Sequence, residues 1–195
     1  MIPIRNKKKS LQITVDEMRN FAFNYIEKYA PSKQQLKTYL LKKYLKLSSS
    51  NVKKQDIKNL IDIISNDLEK NKFINDQFYS DSKAKSMIRR GSSINKIRSY
   101  LFGKGIRDNL INDTVNKIKD ENSDQDFFSA IKICKKKRIG PARTEDNRPL
   151  FYKKDISLLA RNGFDFETSK KVMDIKKEDY VPVSYTHLRA HETVV

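Results

Sequence analysis

The sequence predicts an all-α protein, built as three tandem three-helix repeats in an elongated, curved, solenoid-like array. Three observations predict it. No stretch sustains the apolar/polar alternation of a half-buried strand, whereas apolar residues recur at three- and four-residue spacing along the chain. Leu36, Tyr39, Leu40 and Lys43 match Ile97, Tyr100, Leu101 and Lys104 at a constant offset of 61. A looser third copy runs from Lys153 to Met173, where Leu101-Phe-Gly-Lys-Gly105-Ile106 is echoed by Leu159-Ala-Arg-Asn-Gly163-Phe164. Repeats that stack present a surface, and catalysis needs a pocket, so the pattern favours a binding protein.

A basic arm (1–14, with Lys7-Lys-Lys9) precedes repeat 1, residues 15–72. Thr14-Val-Asp-Glu17 reads as a capping box, and Val15, Met18, Phe21, Ala22, Tyr25, Ile26 and Tyr29 mark one helical face. Pro31 breaks that helix, and Ser32-Lys-Gln-Gln35 caps the next, whose face is Leu36, Tyr39, Leu40, Tyr44 and Leu47. A Ser/Asn linker (48–51) leads to a third helix carrying Ile57, Leu60, Ile61, Ile64 and Leu68. Repeat 2, residues 73–120, starts on Asn75-Asp76. Gly91 supplies a left-handed C-cap, Ser92-Ser93 opens a second helix, and Leu110, Ile111, Val115 and Ile118 mark a third. Repeat 3, residues 121–181, opens near Asp124 with Phe127, Ala130, Ile131 and Cys134. A loop at 139–150 interrupts it, and it resumes at Lys153.

Val183–Thr193 is what the end of a transposase sequencing adapter encodes when translated, so 182–195 is expected to be an adapter-derived tail. His187 and His191 lie in it and are the only histidines. The remainder therefore lacks Ser–His and Cys–His arrangements, and one cysteine without histidine rules out zinc-finger-type sites and an internal disulfide. The five glycines sit at helix ends and form no phosphate-binding loop. No cofactor or metal is expected. Asp76 with Asp81, or Asp124 with Asp126, would be the carboxylates of a magnesium-dependent nuclease, but helix capping accounts for them better. Cys134 is flanked by cations that would activate it, yet it falls on an apolar face and is expected to be buried. No run approaches membrane-spanning length, and the N-terminus lacks a signal-peptide core, so a soluble cytoplasmic protein is expected.

Three segments resemble the RecX family, regulators of the recombinase RecA. They are Phe73-Ile-Asn-Asp76-Gln-Phe78, Ile97-Arg-Ser-Tyr-Leu101-Phe-Gly-Lys-Gly105-Ile106 and Leu158-Leu-Ala-Arg161-Asn-Gly163-Phe164. The likeness covers roughly residues 15–178. It departs at Asn162, which stands between Arg161 and Gly163, and in a first helix without an Ala-rich, Arg-containing start. The resemblance implies a non-enzymatic protein that binds the RecA filament on single-stranded DNA and restrains its growth, ATP turnover and strand exchange. It also implies a place in homologous recombination, DNA repair and the SOS response, and a monomer contacting DNA through the filament.

The net charge of +17 and a pI near 9.8 suit a polyanionic partner or an acidic protein surface. Arg89, Arg90, Lys104, Arg107, Lys135, Lys136, Lys137 and Arg138 lie at helix ends, as does Arg161 in the third repeat. Either these charges line one side of the array and track phosphates or a filament groove, or they form a solvated face. Tyr25, Tyr29, Tyr39, Tyr44 and Tyr100 suit base stacking or, at helical spacing, packing for most of them. The rival reading is a RecA-independent helical DNA-binding regulator, with Gln34 and Gln35 on its recognition helix.

Overall fold

The computed structural model describes residues 14–47 and 53–180; the arm through residue 13, the 48–51 linker and the 182–195 tail lie outside the described residues. The described residues form no strand, and their α-helices are α1 Val15–Tyr29, α2 Lys33–Leu47, α3 Lys54–Lys70, α4 Asp76–Arg89, α5 Ile94–Gly103, α6 Asp108–Glu121, α7 Gln125–Lys137, α8 Asn147–Arg161 and α9 Phe166–Met173, with a further helical turn at 177–180. A single 3-10 turn, Gly140–Ala142, lies between α7 and α8. The described residues fall into two compact units: those up to residue 79 with 104–106, and 80–103 with 107–180.

In the first unit α1, α2 and α3 bury the stripes that their periodicity marks. Met18, Ala22, Leu36, Leu40, Tyr44, Ile57, Ile61, Ile64, Leu68 and Ile74 form one apolar cluster. Three ion pairs tie the outer edges of α1 and α2 to α3: Arg19–Asp67 at 2.6 Å, Lys33–Glu69 at 2.6 Å and Lys37–Asp62 at 2.8 Å. All are partly exposed, so each is worth at most about 1 kcal/mol and the apolar cluster carries the unit. α1 starts as its capping box requires, with Glu17 N–H donating to Thr14 Oγ1 at 3.3 Å. It ends on Ala30 in the left-handed region (φ 40°), and Pro31 turns the chain into α2.

In the second unit Ala130, Ile131, Ile133, Cys134, Ile139, Leu159, Phe164, Val172, Met173 and Tyr180 close a core around α7, α8 and α9. Cys134 is buried as its apolar neighbours predict, and burial, with Asp155 nearby, pushes its thiol pKa up to about 12. It is a core residue and no thiolate at neutral pH. The expected 139–150 loop is shorter than read. Gly140–Ala142 is a 3-10 turn and α8 begins at Asn147, so Pro149 sits in its first turn, where a missing N–H breaks no helical bond.

That segment also carries a charged group the sequence reading overlooked. Asp155 is 1% exposed and accepts from Gly140 N–H at 2.9 Å and from Arg143 Nε and Nη2 at 2.6 and 2.9 Å. Burial alone would raise its pKa, but the guanidinium and the amide win, and the carboxyl is held below its ordinary value. The 3-10 turn is thereby fastened to α8. Arg148, in the first turn of α8, reaches the carbonyls of Met173 and Ile175 at 2.7 and 2.6 Å and caps the end of α9.

Candidate interaction surface and the joints that position it

A helix start leaves backbone N–H groups without partners, and the second helix of each of the first two predicted repeats, α2 and α5, solves this with help from far along the chain. At α2, Gln35 N–H donates to Ser32 Oγ at 3.2 Å and Ser32 N–H to Gln35 Oε1 at 3.1 Å, a complete capping box. Lys33 N–H donates to Asp76 Oδ1 at 2.8 Å, and Ser32 Oγ donates onward to the Lys104 carbonyl at 2.9 Å. Gly105 follows with φ +73°, and a Cβ there would come within 2.5 Å of Gln34 Cβ, so only glycine permits the approach. Ser32, Asp76 and Lys104–Gly105 all belong to the first unit.

All of these contacts but the Ser32 N–H to Gln35 bond recur inside the second unit. Lys96 N–H donates to Ser93 Oγ at 3.1 Å, Ser93 Oγ donates to the Asn162 carbonyl at 2.8 Å, and Ile94 N–H donates to Asp126 Oδ1 at 2.8 Å. Gly163 follows with φ +88°, its would-be Cβ 2.5 Å from Ser93 Oγ. Ser32, Lys33 and Gln35 map onto Ser93, Ile94 and Lys96 at the offset of 61 found in the sequence. Asp126 is half-buried, and burial raises its carboxyl pKa against the pull of the Ile94 amide. The other carboxylates weighed as metal ligands are engaged as well. Asp81 accepts from Thr114 and Lys117 at 2.8 Å each, and Asp124 lies 3.9 Å from Lys171.

The joints hold two of the predicted basic residues. The Lys104 carbonyl accepts from Ser32 in one, and Arg161, exposed at the end of α8, adjoins Asn162 of the other. Arg89 and Arg90 are exposed at the end of α4, with Arg90 held by Ser86 O and Oγ at 3.2 and 2.8 Å. Gly91, with φ +80°, lies so near Ser129, Lys132 and Ile133 that this end is seated against α7. The last turn of α7 exposes Lys135, Lys136 and Lys137, and Arg138 caps it in the left-handed region at φ 53°. The helix dipole favours cations at that end. Arg107 is different: it precedes the first residue of α6, exposed and without a capping bond, where the dipole disfavours a cation.

No family model matches the chain. It is 30% identical over 177 residues to the regulatory protein RecX of Myxococcus xanthus, a match spanning 87% of this chain and 91% of that protein. The chain belongs to the RecX family of regulatory proteins. It is also 26% identical over 174 residues to RecX of Clostridioides difficile, covering 87% of this chain and 74% of that one. A crystal structure of a regulatory protein RecX shares the fold, with a TM-score of 0.59 over 83% of this chain and 74% of the other at 18% identity.

Each of the three segments that resemble RecX contributes to a joint. The first brings Asp76, the second Lys104 and Gly105, the third Asn162 and Gly163. Asn162, the departure from the family pattern, is occupied. Its Oδ1 accepts from Lys96 Nζ at 3.2 Å, and its Nδ2 donates to the Leu158 carbonyl at 2.8 Å. Among the described residues no group of three or more His, Cys, Asp or Glu side chains converges as a metal site, and no helix is long and apolar enough to cross a membrane.

Proposed function

We propose that this RecX-family chain modulates RecA, mainly as an inhibitor, by binding the RecA filament on single-stranded DNA and restraining filament growth, ATP turnover and strand exchange. The observation that carries the reading is the 30% identity to RecX across nearly the whole of both chains. Its action is steric and not enzymatic. Arg89, Arg90, Lys104, Arg107, Lys135, Lys136, Lys137, Arg138 and Arg161 are its proposed contacts with the filament. The net charge of +17 supports attraction to a polyanionic assembly. Arg107 supports it further, because a cation at a helix start costs local stability and is better explained by a partner. Three tandem repeats, acting as a monomer in the cytoplasm, would spread these charges over several filament subunits.

The test is single-stranded-DNA-dependent ATP hydrolysis by RecA while the chain is titrated in, beside a DNA-only binding control at matched salt. The expected result is a fall in turnover at sub-stoichiometric protein. Unchanged turnover with tight, salt-sensitive binding to bare DNA would replace this reading with a RecA-independent DNA binder.

A further inference from the structure

The first unit carries an aromatic row whose inner rings, Phe21, Tyr25 and Tyr39, pack on the apolar cluster and whose outer end, Tyr29, is exposed. Tyr25 of α1 and Tyr39 of α2 lie face to face, ring centroids 3.9 Å apart and planes within 8°. Tyr29, one turn along α1, extends the row at 4.9 Å from Tyr25. Phe21, one turn before Tyr25, bears the Lys43 ammonium 3.4 Å above its ring, and that ammonium also donates to Tyr39 Oη at 3.3 Å. Tyr44, by contrast, is wholly buried and belongs to the core. Tyr29 is 55% exposed, far more than packing requires, and Lys28 lies 5.3 Å from its ring centre.

We propose that this row is a stacking platform for the bases of single-stranded nucleic acid, entered at Tyr29 and flanked by phosphate-seeking lysines. The chemistry fits in three ways. Rings already held by one another lose little side-chain freedom when a base is added, so an ordered row stacks at lower entropic cost than isolated tyrosines. The neighbouring charges have the sign a phosphate backbone needs: Lys28 is exposed beside the Tyr29 ring, and Lys43 is fixed within the row. Glu27 stands two positions from both Tyr25 and Tyr29 and so projects from the other side of α1, and Glu17, on the Phe21 side of the row, is about three turns of α1 away from Tyr29. Stacking on ring faces tolerates any base, so the platform would read strandedness and not sequence.

The test of this site contains no recombinase, so the two readings fail independently. Binding of the full chain to a fluorescein-labelled oligothymidine is compared by anisotropy with binding to an abasic oligonucleotide of equal length and charge. The expected result is tighter binding to oligothymidine, weakened about fivefold or more by Tyr29→Ala and retained in Tyr29→Phe, with affinity for the abasic strand unmoved. Tyr29 is a surface residue, so neither variant threatens the fold. Equal wild-type affinity for the two strands, or a loss in Tyr29→Ala that is the same for both, overturns the proposal and leaves a surface that senses phosphate alone.

Discussion

At Ser32 a hydroxyl, a distant aspartate and a glycine turn meet around the start of α2; at Ser93 the same three meet around the start of α5. Their accessories differ. The first joint adds a glutamine that closes a capping box and a Lys33–Glu69 ion pair. The second has neither, and substitutes Asn95 Nδ2 donating to the Gly163 carbonyl at 3.1 Å and Lys96 reaching Asn162. Whatever survives between the two is what the architecture demands: one hydroxyl that both accepts and donates, one carboxylate on the first helical amide, and one residue without a Cβ. The rest is local trimming.

The glycine should matter most. Gly163→Ala adds a Cβ against Ser93 Oγ and the Lys96 amide while forcing a side chain to φ +88°, and should cost roughly 3 kcal/mol in urea unfolding. Gly105→Ala meets Gln34 Cβ and should cost a similar amount; a loss confined to one of them would break the equivalence. Next come the hydroxyls. Ser32→Ala and Ser93→Ala each remove a cap and leave a carbonyl without its donor, about 1–2 kcal/mol apiece. The loss should be the smaller at Ser93 if Asn95 still holds the Gly163 turn.

Two smaller effects sharpen the contrast. Arg138 occupies at the end of α7 the left-handed position that Gly163 occupies at the end of α8. Arg138→Gly should therefore gain up to about 1 kcal/mol in thermal unfolding. If Arg138 contacts the filament, the same variant should weaken inhibition of RecA turnover. Asp126→Asn should change stability at neutral pH by only a few tenths of a kcal/mol, since an amide oxygen still accepts from Ile94. Its effect lies in the pH profile. The Asp126 pKa is raised in the fold, so this group stabilises as pH falls below that value, and the gain vanishes as pH rises through it. Asp155 has the opposite sign: its pKa is lowered, so its contribution is present above the unfolded value of about 3.9 and is lost as pH falls through the folded value. Urea unfolding across the acid range should show Asp126→Asn abolishing the first trend while keeping the second.

The helices were legible because each is amphipathic over several turns, and the capping boxes at Thr14 and Ser32 marked their starts. The start of α8 was misread because Pro149 and its polar neighbours signal a break, while a first helical turn tolerates them. Ser32 and Ser93 were legible as caps. Their second role was not, because Lys104 and Asn162 lie 72 and 69 residues further along. The constant offset between the two serines was the available clue. Asp155 offered another, since a carboxylate one turn before buried Leu159 on an apolar stripe requires a counter-charge. The basic residues could be named from the sequence, but which of them are seated at a joint, as Lys104 is, depends on contacts that no local pattern records.

The joints also impose an order on synthesis. A ribosome releases Ser32 long before Asp76 and Lys104, which follow it by 44 and 72 residues. α2 must therefore spend its first seconds with a start that only its own capping box and water satisfy. When Lys104 emerges it finishes a structure laid down earlier, while Ser93, just translated, begins the same wait for Asp126 and Asn162. Each stretch of nascent chain thus completes the one behind it, and a stalled ribosome would hold a protein whose newest helices are always the least settled.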